Sequence, residues 1–211
     1  TRHEQAAAFM AEVYGRMTHK PGVCLATLGP GATNLVTGIA DAHLDKAPLV
    51  AITGQSSLEK THKESHQYID IVHMFEEITS WNSEVKRADF IPEIIRKSFD
   101  IARDRPGAVH IELPEDVARE DSLKEPLFKR SRPHIVTHDE QDLKKAAEMI
   151  RESSMPVILA GNGVFRGDAA NELRRFVSFS GVPVITTFMG KGAFPADDEH
   201  SLGSMGIKDR D

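Results

Sequence analysis

The chain has one cysteine in 211 residues, so it cannot form an internal disulfide. A lone Cys24 inside an apolar stretch suits a reducing compartment, and a cytoplasmic location is the expectation. No apolar run approaches the ~20 residues of a membrane span, and no signal peptide opens the sequence. Positive charge is not in excess: 26 Lys and Arg stand against 32 Asp and Glu, a net charge of −6. This speaks against a nucleic-acid partner, which needs a basic face. Several motifs are missing as well. There is no Gly-x-Gly-x-x-Gly, P-loop, His-Glu-x-x-His, paired-cysteine or Gly-x-Ser-x-Gly pattern. His62 and His66 are four apart, but the polar stretch between them reads as loop, so no metal site is assigned to this chain. The sequence opens Thr-Arg-His-Glu, with helical spacing from the start, and both ends are expected to be cut edges.

What is present is an alternation of short apolar runs and helical periodicities. Residues 2–19 read as a helix with three stripes at ~100° per residue. Ala6, Met10, Val13 and Met17 are apolar; Gln5, Glu12, Arg16 and His19 are polar; Glu4 lines up with Ala7, Ala8 and Ala11. Strands are predicted at 22–28, 48–53, 81–86 and 108–113, and helices at 32–45, 69–78 and 91–103. Apolar strands alternating with helices predict an α/β fold with a parallel sheet covered on both faces, strands 49–53 and 108–113 lying inside it. Periodicity then fails across a proline-containing, charged stretch. The expected organisation is a first domain at 1–118, a linker at 119–137 and a partial second α/β domain at 138–211. The second domain has helices at 139–153 and 169–180 and strands at 157–160 and 184–188.

Few residues invite a chemical reading. Glu4 sits in a first helical turn, where any acid gains from the helix dipole. Its alignment with three alanines, which let another surface come close, predicts a buried carboxyl with a raised pKa. Gly29-Pro30-Gly31, between a strand and a helix, is either a plain turn or a place where backbone approaches an anionic ligand. Cys24 reads as a packing residue rather than a nucleophile. His19, His43, His110 and His200 are scattered and read as ordinary surface or core residues.

Seven ordered segments carry a resemblance. They are Arg2-His3-Glu4-Gln5-Ala6-Ala7, Lys20-Pro21-Gly22-Val23-Cys24, Gly29-Pro30-Gly31-Ala32-Thr33-Asn34-Leu35, and Pro48-Leu49-Val50-Ala51-Ile52-Thr53-Gly54-Gln55. Arg105-Pro106-Gly107 with Leu113-Pro114-Glu115-Asp116-Val117, and the run 183–195, complete the set. In this order they resemble the large catalytic subunit of acetolactate synthase, a thiamine-diphosphate-dependent transferase of branched-chain amino acid biosynthesis. The resemblance implies that residues 1–118 are a pyrimidine-binding domain lacking its first strand and helix, and that 138–211 begin the middle domain.

The resemblance also implies site roles. Glu4 would face the aminopyrimidine ring of thiamine diphosphate and share a proton with it, which helps generate the reactive ylid. Gly29, Pro30 and Gly31 would lie beside the cofactor at a subunit interface, and Gln67 would line the active site. Arg105, Gly161, Gly163, Thr187 and Met189 fall where FAD-binding members contact flavin, with Gly203 and Met205 near the same site. Mg²⁺ and the diphosphate would be held by a further domain whose Gly-Asp-Gly motif is not in this chain, so the chain alone is expected to be inactive. Implied partners are pyruvate or another 2-oxo acid, a second copy of the chain forming a homo-oligomer, and a regulatory small subunit. Leu28, His66 and Asn162 depart from the family's usual serine, phenylalanine and glycine. These departures leave open a related decarboxylase, carboligase or oxidase acting on glyoxylate or sulfoacetaldehyde. A non-catalytic binding protein of the same fold is the alternative from another class.

Overall fold

A computed structural model describes residues 1–63, 65–127 and 138–206. Residue 64, residues 128–137 of the linker predicted at 119–137, and the tail at 207–211 lie outside the described residues. Two compact units divide the chain, Thr1–His134 and Ile135–Asp211.

The first unit runs α1 (Glu4–Thr18), β1 (Gly22–Ala26), α2 (Pro30–Leu44), β2 (Leu49–Gln55), α3 (Ile71–Met74), β3 (Trp81–Glu84), α4 (Ile91–Asp104) and β4 (Ala108–Pro114). All pairings are parallel in the order β1-β2-β4-β3, so β2 and β4 are interior, as their apolar sequences predict. The two faces of this sheet differ. Val50, Val109 and Ile111 point to one side and form an apolar core with Ile91, Ile94, Ile95 and Phe99 of α4. On the other side Ala51, Thr53 and Gln55 of β2 stand in register with His110, Glu112 and Pro114 of β4. Thr53, Gln55, His110 and Glu112 are all buried. Thr53 Oγ1 and His110 Nε2 are 2.8 Å apart, and the His110 ring meets Phe75 edge-on at 4.5 Å. Burial pushes the His110 imidazole down to about 3, so it stays neutral.

Helices α1 and α2 cover the β1 side of that polar face, joined by small residues. Ala8 and Ala11 are buried, and a Cβ on Gly38 of α2 would stand 2.6 Å from the Ala8 Cβ. The alanine stripe of α1 therefore packs on the chain's own second helix. Its apolar stripe stays outside: Met10, Val13 and Met17 are all more than half exposed. Glu12 is buried instead and pairs with Arg16, whose guanidinium also reaches Asp45 at 2.7 Å. Desolvation raises the Glu12 pKa, and the Arg16 pairing opposes the rise. Glu12, Asp41 and Asp45 form an acidic group close enough for a cation, but Arg16 bonds to two of the three. Cys24 is buried in β1 with its thiol pushed up to about 12, which fits a packing role.

The helix predicted at 69–78 is broken. Asp70 caps a single α turn through the His73 N–H, and a 3₁₀ turn follows at Glu76–Ile78. Ile71 and Phe75, four apart across this turn, both lie in the core with no exposure.

The second unit carries α5 (Glu140–Glu152), β5 (Ile158–Ala160), α6 (Gly163–Arg166), α7 (Ala170–Ser180), β6 (Val184–Thr186) and β7 (Ser201–Ser204). Its described strands form a parallel sheet β5-β6-β7. Strand β7, Ser-Leu-Gly-Ser, has no apolar alternation and pairs with a register shift, so periodicity did not reveal it.

Replacing Gly38 with alanine tests the α1–α2 contact. Helix propensity alone predicts a gain of about 1 kcal/mol. The contact with Ala8 predicts a net loss of about 1–3 kcal/mol in urea unfolding, partly recovered by adding Ala8→Gly.

Candidate functional site

Parallel strands deliver their C-terminal ends to one edge of a sheet, where α/β folds gather ligands. In the first unit the turns leaving β1 and β2 meet there. Gly29 has φ 58° and ψ −119°, a conformation closed to side chains with a Cβ. A Cβ on it would also stand 2.5 Å from the Gln67 carbonyl oxygen and 2.8 Å from the Gln67 Cβ. Gln67 itself is left-handed at φ 59°. The β2–α3 connection thus lies directly on the Gly29 turn.

Glu4 enters from above. It is the first residue of α1, after His3, whose side chain accepts from the Gln5 N–H. The α1–α2 packing sets the start of α1 over the start of α2. There Asn34 Nδ2 donates to Glu4 Oε2 at 2.9 Å, and Glu4 Oε1 is 3.6 Å from where a Gly31 Cβ would stand. The Asn34 bond, then a backbone N–H, hold the carboxyl below its usual range and outweigh desolvation. The expectation of a buried carboxyl with a raised pKa is therefore overturned. The alanines beside Glu4 are consumed by α2, and the carboxyl is left half-buried and ionised at the edge of the contact.

Glu4, Gly29, Pro30, Gly31 and Gln67 thus share one sheet edge. Leu28, at the family's usual serine position, packs against the α1–α2 core. His62 and His66 are exposed. Arg105 does not join this group. It caps the C-terminus of α4, exposed, three residues before β4 begins, so it belongs to the opposite edge.

In the second unit Gly161 and Thr187 come together: a Cβ on Gly161 would lie 3.7 Å from Thr187 Oγ1. Thr187 Oγ1 accepts from the Gly190 N–H at 3.0 Å and so shapes the turn that bears Met189. Gly163 opens α6 with no heavy atom within 4 Å of its Cβ position. The Met205 N–H bonds to the Thr186 carbonyl at 2.8 Å, which puts the segment after Gly203 beside the end of β6.

Sequence reasoning assigned no role to Asn34, Gln55, Glu112 or Asp116. Each lies in or beside a motif-bearing segment, and for Gln55 and Glu112 the available signal was a polar residue inside an interior strand. Gln55 Nε2 donates to the Ile69 carbonyl at 2.9 Å and to Glu112 Oε2 at 3.0 Å. Asp116 Oδ2 accepts from Ser57 Oγ at 2.9 Å and from the Leu58 N–H at 3.0 Å.

Residues 1–74 match the model of the thiamine pyrophosphate enzyme N-terminal TPP binding domain, and residues 143–210 match that of the thiamine pyrophosphate enzyme central domain. Together the matches span about two thirds of the chain. The chain belongs to the thiamine pyrophosphate enzymes. Among curated relatives of this family it is similar to a probable acetolactate synthase large subunit of Methanocaldococcus jannaschii. The identity is 46% over 215 residues, covering 98% of this chain and 36% of that protein. A Methanococcus aeolicus protein of the same description is 43% identical over the same shares of both chains. The chloroplastic acetolactate synthase 2 of Nicotiana tabacum is 42% identical over 98% of this chain and 32% of its own length. The chain spans about a third of the length of these relatives. No helix among the described residues is long and apolar enough to cross a membrane.

The Asn34 bond gives a direct check on Glu4. Asn34→Ala should raise the Glu4 pKa toward the ordinary carboxylate value, read by carboxyl-carbon NMR titration. An unchanged midpoint would remove Asn34 as the cause.

Proposed function

We propose that this chain is part of an acetolactate synthase-type carboligase. Pyruvate is decarboxylated, and its two-carbon unit is joined to a second 2-oxo acid. The observation that carries the reading is the convergence of an ionised Glu4, the Gly29 turn and Gln67 at one sheet edge, in a chain of this family. Thiamine diphosphate, when bound, supplies the centre that stabilises the carbanion left by decarboxylation.

The residues here suit its pyrimidine side. Glu4, with Oε2 held by Asn34, presents a carboxylate able to accept a ring N–H and keep that proton in place. A ring seated on the turn would exclude water, and desolvation would move the Glu4 pKa back up toward proton sharing. Gly29 and Gly31 leave the turn without side chains, so a flat ring can approach the backbone. Gln67, exposed beside them, has an amide to orient a 2-oxo acid carboxylate.

The same reading assigns Mg²⁺ and the diphosphate to residues outside this chain. It gives FAD to Arg105, Gly161, Gly163, Thr187 and Met189, supported within the second unit by the Gly161–Thr187 pairing. A second copy of the chain is the proposed partner at the exposed stripe Met10, Val13, Tyr14 and Met17, an apolar patch of the kind that marks an interface. A regulatory small subunit and a cytoplasmic location belong to the same proposal.

Full-length protein incubated with pyruvate, thiamine diphosphate and Mg²⁺, with and without FAD, should form acetolactate. Glu4→Gln should lower kcat by about 10²–10⁴-fold. Consumption of glyoxylate or sulfoacetaldehyde in place of pyruvate would move the substrate class. Inertness toward all three would replace the enzyme reading with a binding role. The paired change Met10→Asp and Met17→Asp should shift sedimentation toward the monomer while far-ultraviolet circular dichroism stays constant.

A further inference from the structure

Gln55, the last residue of β2, is 3% exposed and has its amide fully engaged. Its Oε1 accepts from the Ser56 N–H at 2.9 Å; its Nε2 donates to the Ile69 carbonyl at 2.9 Å and to Glu112 Oε2 at 3.0 Å. One buried side chain thereby ties the two ends of the β2–α3 connection together, and Glu112 on the neighbouring strand fixes the orientation of the amide. Asp116, beyond β4, adds a second tie at Ser57 and Leu58. Gln67 lies two residues before Ile69. Its left-handed backbone is unfavourable for a residue with a Cβ, and such a conformation persists where surrounding contacts over-determine it. We infer that Glu112, acting through Gln55, is a positioning residue that holds Gln67 against the Gly29 turn, an inference that rests on the reading of that turn as the cofactor site.

A buried acid in an interior strand is a costly way to fill space. Burial pushes the Glu112 carboxyl up to about 7, which makes the tie responsive near neutrality. The groups around it come from each element packed there. Gln55 stabilises the ionised form from β2, Asp70 at the start of α3 opposes it, and Lys86 after β3 favours it. Glu84 of β3 stands in register with Glu112 and is itself paired with Lys86. His110, two residues back on β4, is neutral and bonded to Thr53. Because the folded-state pKa is raised, the contribution of Glu112 to stability is full below its ordinary value and is lost as pH rises through about 7. Above that pH a buried charge stands against Asp70, next to the carbonyl that anchors Gln67.

Hydrogen exchange on the full-length protein at pH 6 and pH 8, as protection factors for Ser56, Leu58 and Tyr68, tests the inference. Wild-type protection should fall from pH 6 to pH 8. Glu112→Gln keeps an acceptor for Gln55 without a titrating charge, so it should hold the pH 6 protection at pH 8 and flatten the limb of kcat/KM for pyruvate near pH 7. Gln55→Leu should lower protection about tenfold at both pH values. A wild-type pH dependence retained in Glu112→Gln overturns the inference. Unchanged protection in Gln55→Leu overturns it too. If Gln55→Leu also loses protection through β2 and β4, the isosteric Glu112→Gln decides alone. Exchange that follows Glu112 in a protein making no acetolactate would refute the carboligase reading and leave the tie in place; acetolactate formation with exchange indifferent to Glu112 would do the reverse.

Discussion

The contact of Ala8 with Gly38 governs the first unit. Two helices that meet through a methyl group and a hydrogen come closer than larger side chains allow, and this proximity brings the start of α1 over the start of α2. From that follow the Asn34–Glu4 bond, the ionised carboxyl and its position above Gly31. The same packing decides which residues α1 can bury. Small ones go inward with Glu12 and its arginine, and the large apolar ones are left at the surface.

The sheet divides its labour by face. Toward α4 it is an ordinary apolar core. Toward α2 and α3 it carries hydrogen-bonded polar pairs, Thr53 with His110 and Gln55 with Glu112, stepping along β2 and β4 toward their C-terminal ends. Buried pairs of this kind are costly unless satisfied. They also fix direction, because an amide with all its partners assigned has one orientation. The face that carries these polar pairs beside its own apolar core is thus the face that ties the loops together.

Much of the first unit could be read from the sequence. Interior strands β2 and β4 are mostly apolar runs, and α4 has a clear helical stripe. The turn at Gly29-Pro30-Gly31 was visible as a candidate, as was Glu4, but the state of the Glu4 carboxyl was not. Its protonation depends on Asn34, thirty residues away, and on where the alanines of α1 find their partner. The inward orientation of Glu12 was hidden because periodicity sorts residues by chemistry and cannot say which stripe meets the core. The β7 strand was hidden because Ser-Leu-Gly-Ser has no apolar alternation and pairs with a register shift.

Gly29 and Gln67 occupy left-handed backbone facing each other, the carbonyl of one filling the space a side chain on the other would need. Two positions far apart in sequence are thereby coupled through one close contact. A residue with a side chain at 29 would require the segment around Gln67 to move, because a backbone carbonyl as well as a Cβ stands in its way. A change in the chemistry of this edge is then made with less disturbance by exchanging an exposed side chain such as His66 than by reshaping the loop.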